Sequence, residues 1–389
     1  MIRNGKMCIL LFILWISLFC GVSWNTGAEE LELASPEAVL MEASTGKVLF
    51  EKASHEKRSP ASVTKIMTVL LSFEALEKGQ IHLEDEVVTS AHAKSMGGSQ
   101  VFLEEGEKQT VQTLLKCILV SSGNDASVAL AEYIAGSEME FVNKMNEKAK
   151  ALKMTDTHFV DCCGLTDSDE HYTSANDIAV MSRELITRFP EVFDYTTIWM
   201  ENITHVTQRG SSEFGLSNTN KLLRSYNGCN GLKTGSTSKA LFCVSATALR
   251  NDIQLISVIM AGPDSKTRFK EAAQLLDYGF GKCRLYTDEE EIKFPPLKVK
   301  KGVKNQVTCR VKEAFRYLDT EGNELSGIER TIQLEDNVTA PIQEGDTAGY
   351  LIYTLDGKEI GRSELIYDEN VEKVGIGFCM KKAWEVYSM

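Results

Sequence analysis

The sequence predicts an α/β protein of the α+β kind: an antiparallel sheet flanked by helices, followed by a small all-β C-terminal domain. Three observations carry that expectation. Strand patterns lie at both ends of the first part of the chain and helical patterns lie between them, an order that favours an antiparallel sheet with helices packed on it. The segment ALFCVSATAL-RND-IQLISVIMAG (240–262) reads as an antiparallel hairpin, two apolar runs around a polar turn. Composition then shifts near residue 290, where FPPLKVKKG (294–302) forms a Pro/Lys connector and short alternating strands follow.

In chain order, the N-terminus is not part of the fold. Arg3 and Lys6 precede an apolar run, 7–22, and Thr26 and Ala28 supply small residues before Glu29. That is the layout of a secretory signal peptide over 1–28, with an uncleaved anchor as the alternative because the apolar run is long. EAVLMEA-STG-KVLFEK (37–52) reads as a hairpin. From Ser62, the residues Val63, Ile66, Met67, Leu70, Phe73 and Leu76 recur at helical spacing, and Pro60 suits the first turn, where its missing N–H costs nothing. Residues 111–136 read as helix, polar interruption at SSGND, helix. MEFVNKMNEKAKAL and SANDIAVMSRELITRF are helical, with Ser174 placed to cap the second. KEAAQLLDYGFGK (270–282) is expected to be a helix ended by glycine. The expected domains are 29–289 and 290–369, the second including a hairpin around Asp356-Gly357. In the tail, 370–389, a helix would gather Met380, Ala383, Trp384 and Tyr387 on one face. Such a face would lie on a membrane surface or dock on its own domain, and both readings stand.

Composition bounds the function. The chain of 389 residues is 43% hydrophobic and 25% charged, as expected of a globular protein of two domains. A net charge of −13 argues against nucleic acid as a partner. Of ten cysteines, Cys8 and Cys20 fall in the signal, and the other eight show no CxxC and no framework spacing. Cys117 and Cys243 sit inside apolar runs, where a thiol behaves as a small buried hydrophobe, so free thiols are expected. The six histidines lack metal-ligand spacing, and neither a metal nor a cofactor is expected.

Covalent acyl transfer needs a nucleophile, a base within hydrogen-bond reach, a proton relay and donors for the oxyanion. Ser-x-x-Lys places both groups on one helix face, and the chain holds it three times: Ser54–Lys57, Ser62–Lys65 and Ser236–Lys239. A lysine at its ordinary pKa of about 10.4 is a poor base at neutral pH, so the pattern needs burial and a second cation nearby. Ser122-Gly123-Asn124 sits between two helices, and Lys233-Thr234-Gly235 occurs once, just before the 240–249 strand. There glycine lets the backbone approach a ligand and Lys233 presents a cation to a carboxylate. The order decides: Ser-x-x-Lys, then Ser-x-Asn 60 residues on, then Lys-Thr-Gly 111 residues further. The other Ser-x-x-Lys copies fail on context. Ser54–Lys57 has no apolar helix behind it, and Ser236–Lys239 overlaps the Lys-Thr-Gly loop.

On SPASVTKIMT, SMGGSQVFLEEGE, SSGNDASVALAEYIAGS, NTNKLL, GLKTGSTSKALFCVSA and MTDTHFVDCCGLTDSDEHYTSANDIA, the chain resembles the low-molecular-mass penicillin-binding proteins that act as serine-type D-alanyl-D-alanine carboxypeptidases. The resemblance covers about residues 35–370 and implies a serine transpeptidase/β-lactamase-like α/β domain with a β-rich C-terminal domain. It implies Ser62 as acylated nucleophile, Lys65 as its base, and Ser122 as proton relay. It implies that Asn124 holds Lys65 and the substrate amide. Lys233 would face the terminal carboxylate and depress the pKa of Lys65, Thr234 would bond that carboxylate, and the N–H groups of Ser62 and Ser236 would form the oxyanion hole. The implied partners are a peptidoglycan stem peptide ending in D-Ala-D-Ala and β-lactams as covalent inhibitors, met outside the cytoplasmic membrane. Two residues depart from the pattern: Ser236 stands where His or an aromatic is frequent, and Cys162-Cys163 where paired thiols are unusual. The alternatives are a DD-endopeptidase with the same residues, a β-lactamase, for which no Glu-x-x-Leu-Asn stretch is found, and a non-catalytic cell-wall module, which would predict a decayed motif.

Overall fold

The computed structural model describes residues 31–387, apart from 209, 289 and 291; the segment read as a signal peptide, 1–28, lies outside the described residues. From Ser35 on, the chain forms one unit. Its centre is a five-stranded sheet of β1 (Glu37–Glu42), β2 (Val48–Lys52), β3 (Cys229–Thr237), β4 (Leu241–Arg250) and β5 (Ile253–Gly262). The order is β2–β1–β5–β4–β3. The pairings are antiparallel, with Ala38 opposite Lys52 on one side and Ile259 on the other. The two hairpins read at 37–52 and 240–262 are both present in this sheet.

Strand residues alternate between faces, and both faces of this sheet are covered. Val39, Met41, Ile256, Val258 and Met260 join the large core shared with the helices. Those helices are α1 (Lys65–Glu77), α2 (Val111–Val120), α3 (Asn124–Ala135), α4 (Glu138–Ala151) and α5 (Ala175–Arg188). The other face meets α6 (Ser265–Lys282). Helix α1 is buried from Lys65 to Ala75. A helix apolar on all sides belongs in the middle of a core, and α1 is therefore held from several directions at once. Ser174 caps α5 as expected, accepting the N–H of Asp177.

Three features differ from the expectations. Helix α6 starts earlier, where Asp264 accepts the N–H groups of Lys266 and Thr267. It also runs through its glycines to end at Cys283 in extended backbone, not at a glycine stop, and Gly279 instead lets the helix close on Leu40 and Leu255. Strand β3, which carries Lys233-Thr234-Gly235, has no strand signature in the sequence, because CNGLKTGST lacks a β-branched run. Nor has the hairpin Met200–Thr207 with Gly210–Ser217, whose residues are mostly polar and exposed.

Beyond α6, a four-stranded antiparallel sheet runs in the order Cys309–Val311, Lys358–Tyr367, Thr347–Leu355, Glu329–Leu334. Phe315 and Tyr353 stack in its core with ring centroids 3.8 Å apart. Asp356 and Gly357 both have positive φ, 51° and 76°, as a two-residue type I′ turn requires. A last helix, Ile376–Tyr387, exposes Ile376, Met380, Trp384 and Tyr387. Cys117, Cys162, Cys163, Cys229, Cys243, Cys283 and Cys309 are free thiols. Burial pushes the Cys243 and Cys229 thiols up to about 11, which keeps them protonated and unreactive.

Candidate active site

The site is assembled where the start of α1, the loop before α3 and the edge strand β3 meet. A short 3₁₀ turn, Ala61–Thr64, precedes α1. Its first residue, Ala61, is fully buried with φ +48°, a left-handed conformation that alanine adopts only when its surroundings impose it. Ser62 is half-buried on this turn, one helical turn ahead of Lys65.

The Lys65 amine has no solvent exposure. It lies 2.9 Å from Ser62 Oγ, 2.6 Å from Asn124 Oδ1 and 2.8 Å from the Cys163 carbonyl oxygen. An ammonium can donate all three bonds. A neutral amine donates two and turns its lone pair to the Ser62 hydroxyl, the arrangement a general base requires. Burial holds Lys65 below the ordinary lysine range, while nearby Asp161 and Asp125 pull the other way.

Ser122 is the middle residue of the interruption between α2 and α3 and has φ +61°. Its Oγ accepts from Lys233 Nζ at 2.9 Å, and Lys233 also donates to the Thr234 carbonyl at 3.1 Å. Asn124, the first residue of α3, is held by the donation of its Nδ2 to the Gly97 carbonyl at 2.7 Å. The next residue, Asp125, accepts the N–H groups of Val101 and Leu103, which ties the loop at 97–103 over the start of α3. Two Ser–Lys pairs, Ser62–Lys65 and Ser122–Lys233, thus belong to one polar cluster that is otherwise sealed in the core.

Lys233 is only 1% exposed, and its pKa is well below the lysine range. Burial is the largest cause, followed by the charge of Lys65 and then that of Arg268. Lys65 is lowered first by its own burial, and the repulsion between the two amines disfavours charge on both.

On β3, Thr234 Oγ1 donates to Thr219 Oγ1 at 2.7 Å. Gly235 runs against the turn that bears Ser62: a Cβ there would stand 2.8 Å from Pro60 O, 2.9 Å from Val63 N and 3.0 Å from Ser62 N. Ser236, the next residue, is exposed at the end of the strand. The structure therefore gathers Ser62, Lys65, Ser122, Asn124, Lys233, Thr234 and Gly235, with Ser236 following on the same strand.

Sequence reasoning missed several supports. The Cys163 carbonyl bonds Lys65, but a backbone oxygen leaves no residue signature. Thr219 lies in NTNKLL, a segment noticed without a role. Arg268, buried on α6, donates from Nη1 to the carbonyls of Gly235 and Cys243, both at 3.0 Å, and so ties β3 to β4 beside the site. Nothing in KTRF announces it.

A serine beside a buried amine, a second buried amine on a second serine, and an edge strand against the turn that bears the first serine define a serine acyl-transfer enzyme of the Ser-x-x-Lys type. Residues 24–264 match the D-alanyl-D-alanine carboxypeptidase family, and 280–373 match the C-terminal domain of penicillin-binding protein 5. The chain is 40% identical over 356 residues to the D-alanyl-D-alanine carboxypeptidase DacF of Bacillus subtilis, covering 91% of this chain and 90% of that one. It is 34% identical to the D-alanyl-D-alanine carboxypeptidase DacC of Escherichia coli, covering 90% and 87% of the two chains. Among solved structures, penicillin-binding protein 5 of Haemophilus influenzae superposes with a TM-score of 0.67 at 30% identity, covering 88% of this chain and 98% of that one. A peptidoglycan synthesis regulatory factor, PBP3, of Streptococcus pneumoniae gives 0.70 at 28% identity, covering 88% and 100%. The chain belongs to the D-alanyl-D-alanine carboxypeptidase family, and its fold is that of the penicillin-binding proteins.

Proposed function

We propose that this enzyme removes the terminal D-alanine from peptidoglycan stem pentapeptides through an acyl-enzyme on Ser62. The observation that carries the reading is the buried Lys65 amine 2.9 Å from Ser62 Oγ. Ser62 Oγ attacks the carbonyl carbon of the penultimate D-alanine as its proton passes to Lys65 Nζ. The N–H groups of Ser62 and Ser236 receive the oxyanion, each such donor typically worth about 10²–10³ in rate. The C–N bond breaks, and the leaving amine takes a proton relayed through Ser122. Water, deprotonated by Lys65, then hydrolyses the ester and regenerates Ser62. Asn124 orients Lys65 and the substrate amide, while Lys233 and Thr234 face the terminal carboxylate. The proposed catalytic domain spans 29–289 and the β domain 290–369. Incubated with a peptide ending in D-Ala-D-Ala, the protein is expected to release D-alanine, and with penicillin to gain one adduct that maps to the peptide holding Ser62. An adduct mapping elsewhere would sink the assignment.

The same reading places the enzyme outside the cytoplasmic membrane, with the helix Ile376–Tyr387 lying on the membrane surface. What supports this is its uncovered apolar side: Ile376 is 83% exposed and Trp384 76%. No described helix is long and apolar enough to cross a membrane. At about three turns the helix binds weakly by itself. The chain from Glu29 is expected to float with liposomes and to stay at the bottom of the gradient once 370–389 is deleted. Equal flotation of both forms would refute the tail's role.

A further inference from the structure

The loop 158–173 holds a histidine that the proposed chemistry does not use. Its base is closed by paired backbone bonds, His158 N–H to Tyr172 O at 2.9 Å and Tyr172 N–H to His158 O at 3.0 Å. Arg58 and Thr173 exchange a second pair, which anchors the loop beside the nucleophile turn. Inside it, the Asp161 carboxylate accepts the N–H groups of Cys163, Gly164 and Thr166. Gly164 has φ +74°, and a Cβ on it would collide with the Ala61 carbonyl oxygen at 1.8 Å, so the loop is pressed onto the turn that bears Ser62.

Three hydrogen bonds tie this loop to the start of α1. The Cys163 carbonyl accepts from Lys65, and the Cys162 carbonyl accepts from Thr68 Oγ1 at 2.5 Å. The third joins His171 Nε2 to Thr64 Oγ1 at 2.8 Å. Of the three, His171 alone uses a side chain of the loop, and Thr64 lies between nucleophile and base in the sequence. The tautomer follows from the other nitrogen. Val160 donates its N–H to His171 Nδ1 at 3.1 Å, so Nδ1 is an acceptor and the proton sits on Nε2, directed at Thr64. The ring is 1% exposed and packs edge-on against Phe159.

We propose that His171, as its neutral Nε2–H tautomer, is a positioning residue for acylation: it locks the loop to Thr64 and so fixes the Cys163 carbonyl against Lys65. The proposal rests on Ser62 being the acylated residue. Protonation would place a second N–H opposite the Val160 N–H, and the contact would break. The charged groups that act on the ring are Asp161 and His158 of the loop and Lys239 of the β3–β4 turn. Lys239 is itself paired with Asp169 at 2.6 Å. Burial holds His171 below the usual 6.5, the Asp161 charge opposes that, and His158 and Lys239 reinforce it. Linkage has a definite sign here: the neutral, locked form is full above pH 6.5 and is lost as pH falls through the lowered value.

The test measures penicillin acylation rates of the full-length protein in detergent. His171→Ala is expected to slow acylation about tenfold, the worth of one buried hydrogen bond and its orientation. In His171→Gln, a side-chain amide can donate to Thr64 and accept from Val160, and it should recover most of the loss. Because glutamine does not titrate, the rate of His171→Gln relative to wild type should rise as pH is lowered from 7.5 through the His171 titration, the titration of Lys65 being common to both. A flat ratio, or His171→Gln as slow as His171→Ala, would overturn the proposal. Ser62→Ala run in parallel separates the two readings: persistent labelling there refutes the nucleophile, whereas normal rates in His171→Ala refute only the clamp.

Discussion

Lys65→Met is expected to slow acylation by about 10²–10⁴-fold, the usual worth of a positioned general base. Methionine matches the length of the lysine stem and fills the same buried channel, so the loss tracks the amine and not a cavity. Three partners lose their bond together: Ser62 Oγ, Asn124 Oδ1 and the Cys163 carbonyl. The pH profile gives the sharper reading. Only the neutral amine can take the Ser62 proton, and burial lowers the pKa of Lys65, so wild-type acylation rises with pH through that lowered value. In Lys65→Met this limb should vanish along with the rate. Stability carries the same linkage. Lys65 binds its proton more weakly in the fold than in the unfolded chain, so its contribution is present above about pH 10.4 and lost as pH falls through the folded value. The Tm of Lys65→Met should therefore vary less with pH than that of the wild type. Stopped-flow labelling from pH 6 to pH 10 decides: a variant that keeps the wild-type rate and profile would remove Lys65 from the chemistry.

Which residues gather was legible because each motif keeps a side-chain signature. Ser62 and Lys65 share a helix face, Ser122 and Asn124 interrupt two apolar runs, and Lys-Thr-Gly occurs once. What holds them in place was largely silent. The Cys163 and Gly97 carbonyls that fix Lys65 and Asn124 could belong to any residue type. His171 looked like one of six scattered histidines, since its partner Thr64 stands 107 positions away. The strand carrying Lys233 was hidden because CNGLKTGST is chosen for approach and charge, not for strand propensity. The hairpin Met200–Thr207 with Gly210–Ser217 escaped for a related reason: a mostly exposed ribbon keeps little apolar alternation to read. Burial and a second cation were both expected to lower the lysine pKa, but not which of them leads. Burial is a property of the folded core, and its size cannot be read from the spacing of charges in the sequence.

Gly235→Ala should cost about 10² in acylation rate, although it adds only a methyl group. The new Cβ would stand 2.8 Å from Pro60 O, 2.9 Å from Val63 N and 3.0 Å from Ser62 N. All three are backbone atoms of the turn that bears the nucleophile, so no side chain can swing aside to relieve the contact. Either β3 or the turn must retreat. Arg268 holds the Gly235 carbonyl from one side, and the buried α1 holds the turn from the other. A retreat separates Ser62 from Ser236, whose N–H groups meet at one oxyanion in the proposed mechanism, and displacements near 1 Å are enough for a loss of this size. The fold should survive, because the substitution lies on an edge strand and leaves the sheet register intact. Gly281→Ala is the control, since a Cβ there meets nothing within 4 Å and alanine is the better helix former. Penicillin binding followed by titration of both variants separates site geometry from general destabilisation. If Gly235→Ala acylates at the wild-type rate, the close approach of β3 to the nucleophile turn has no catalytic weight.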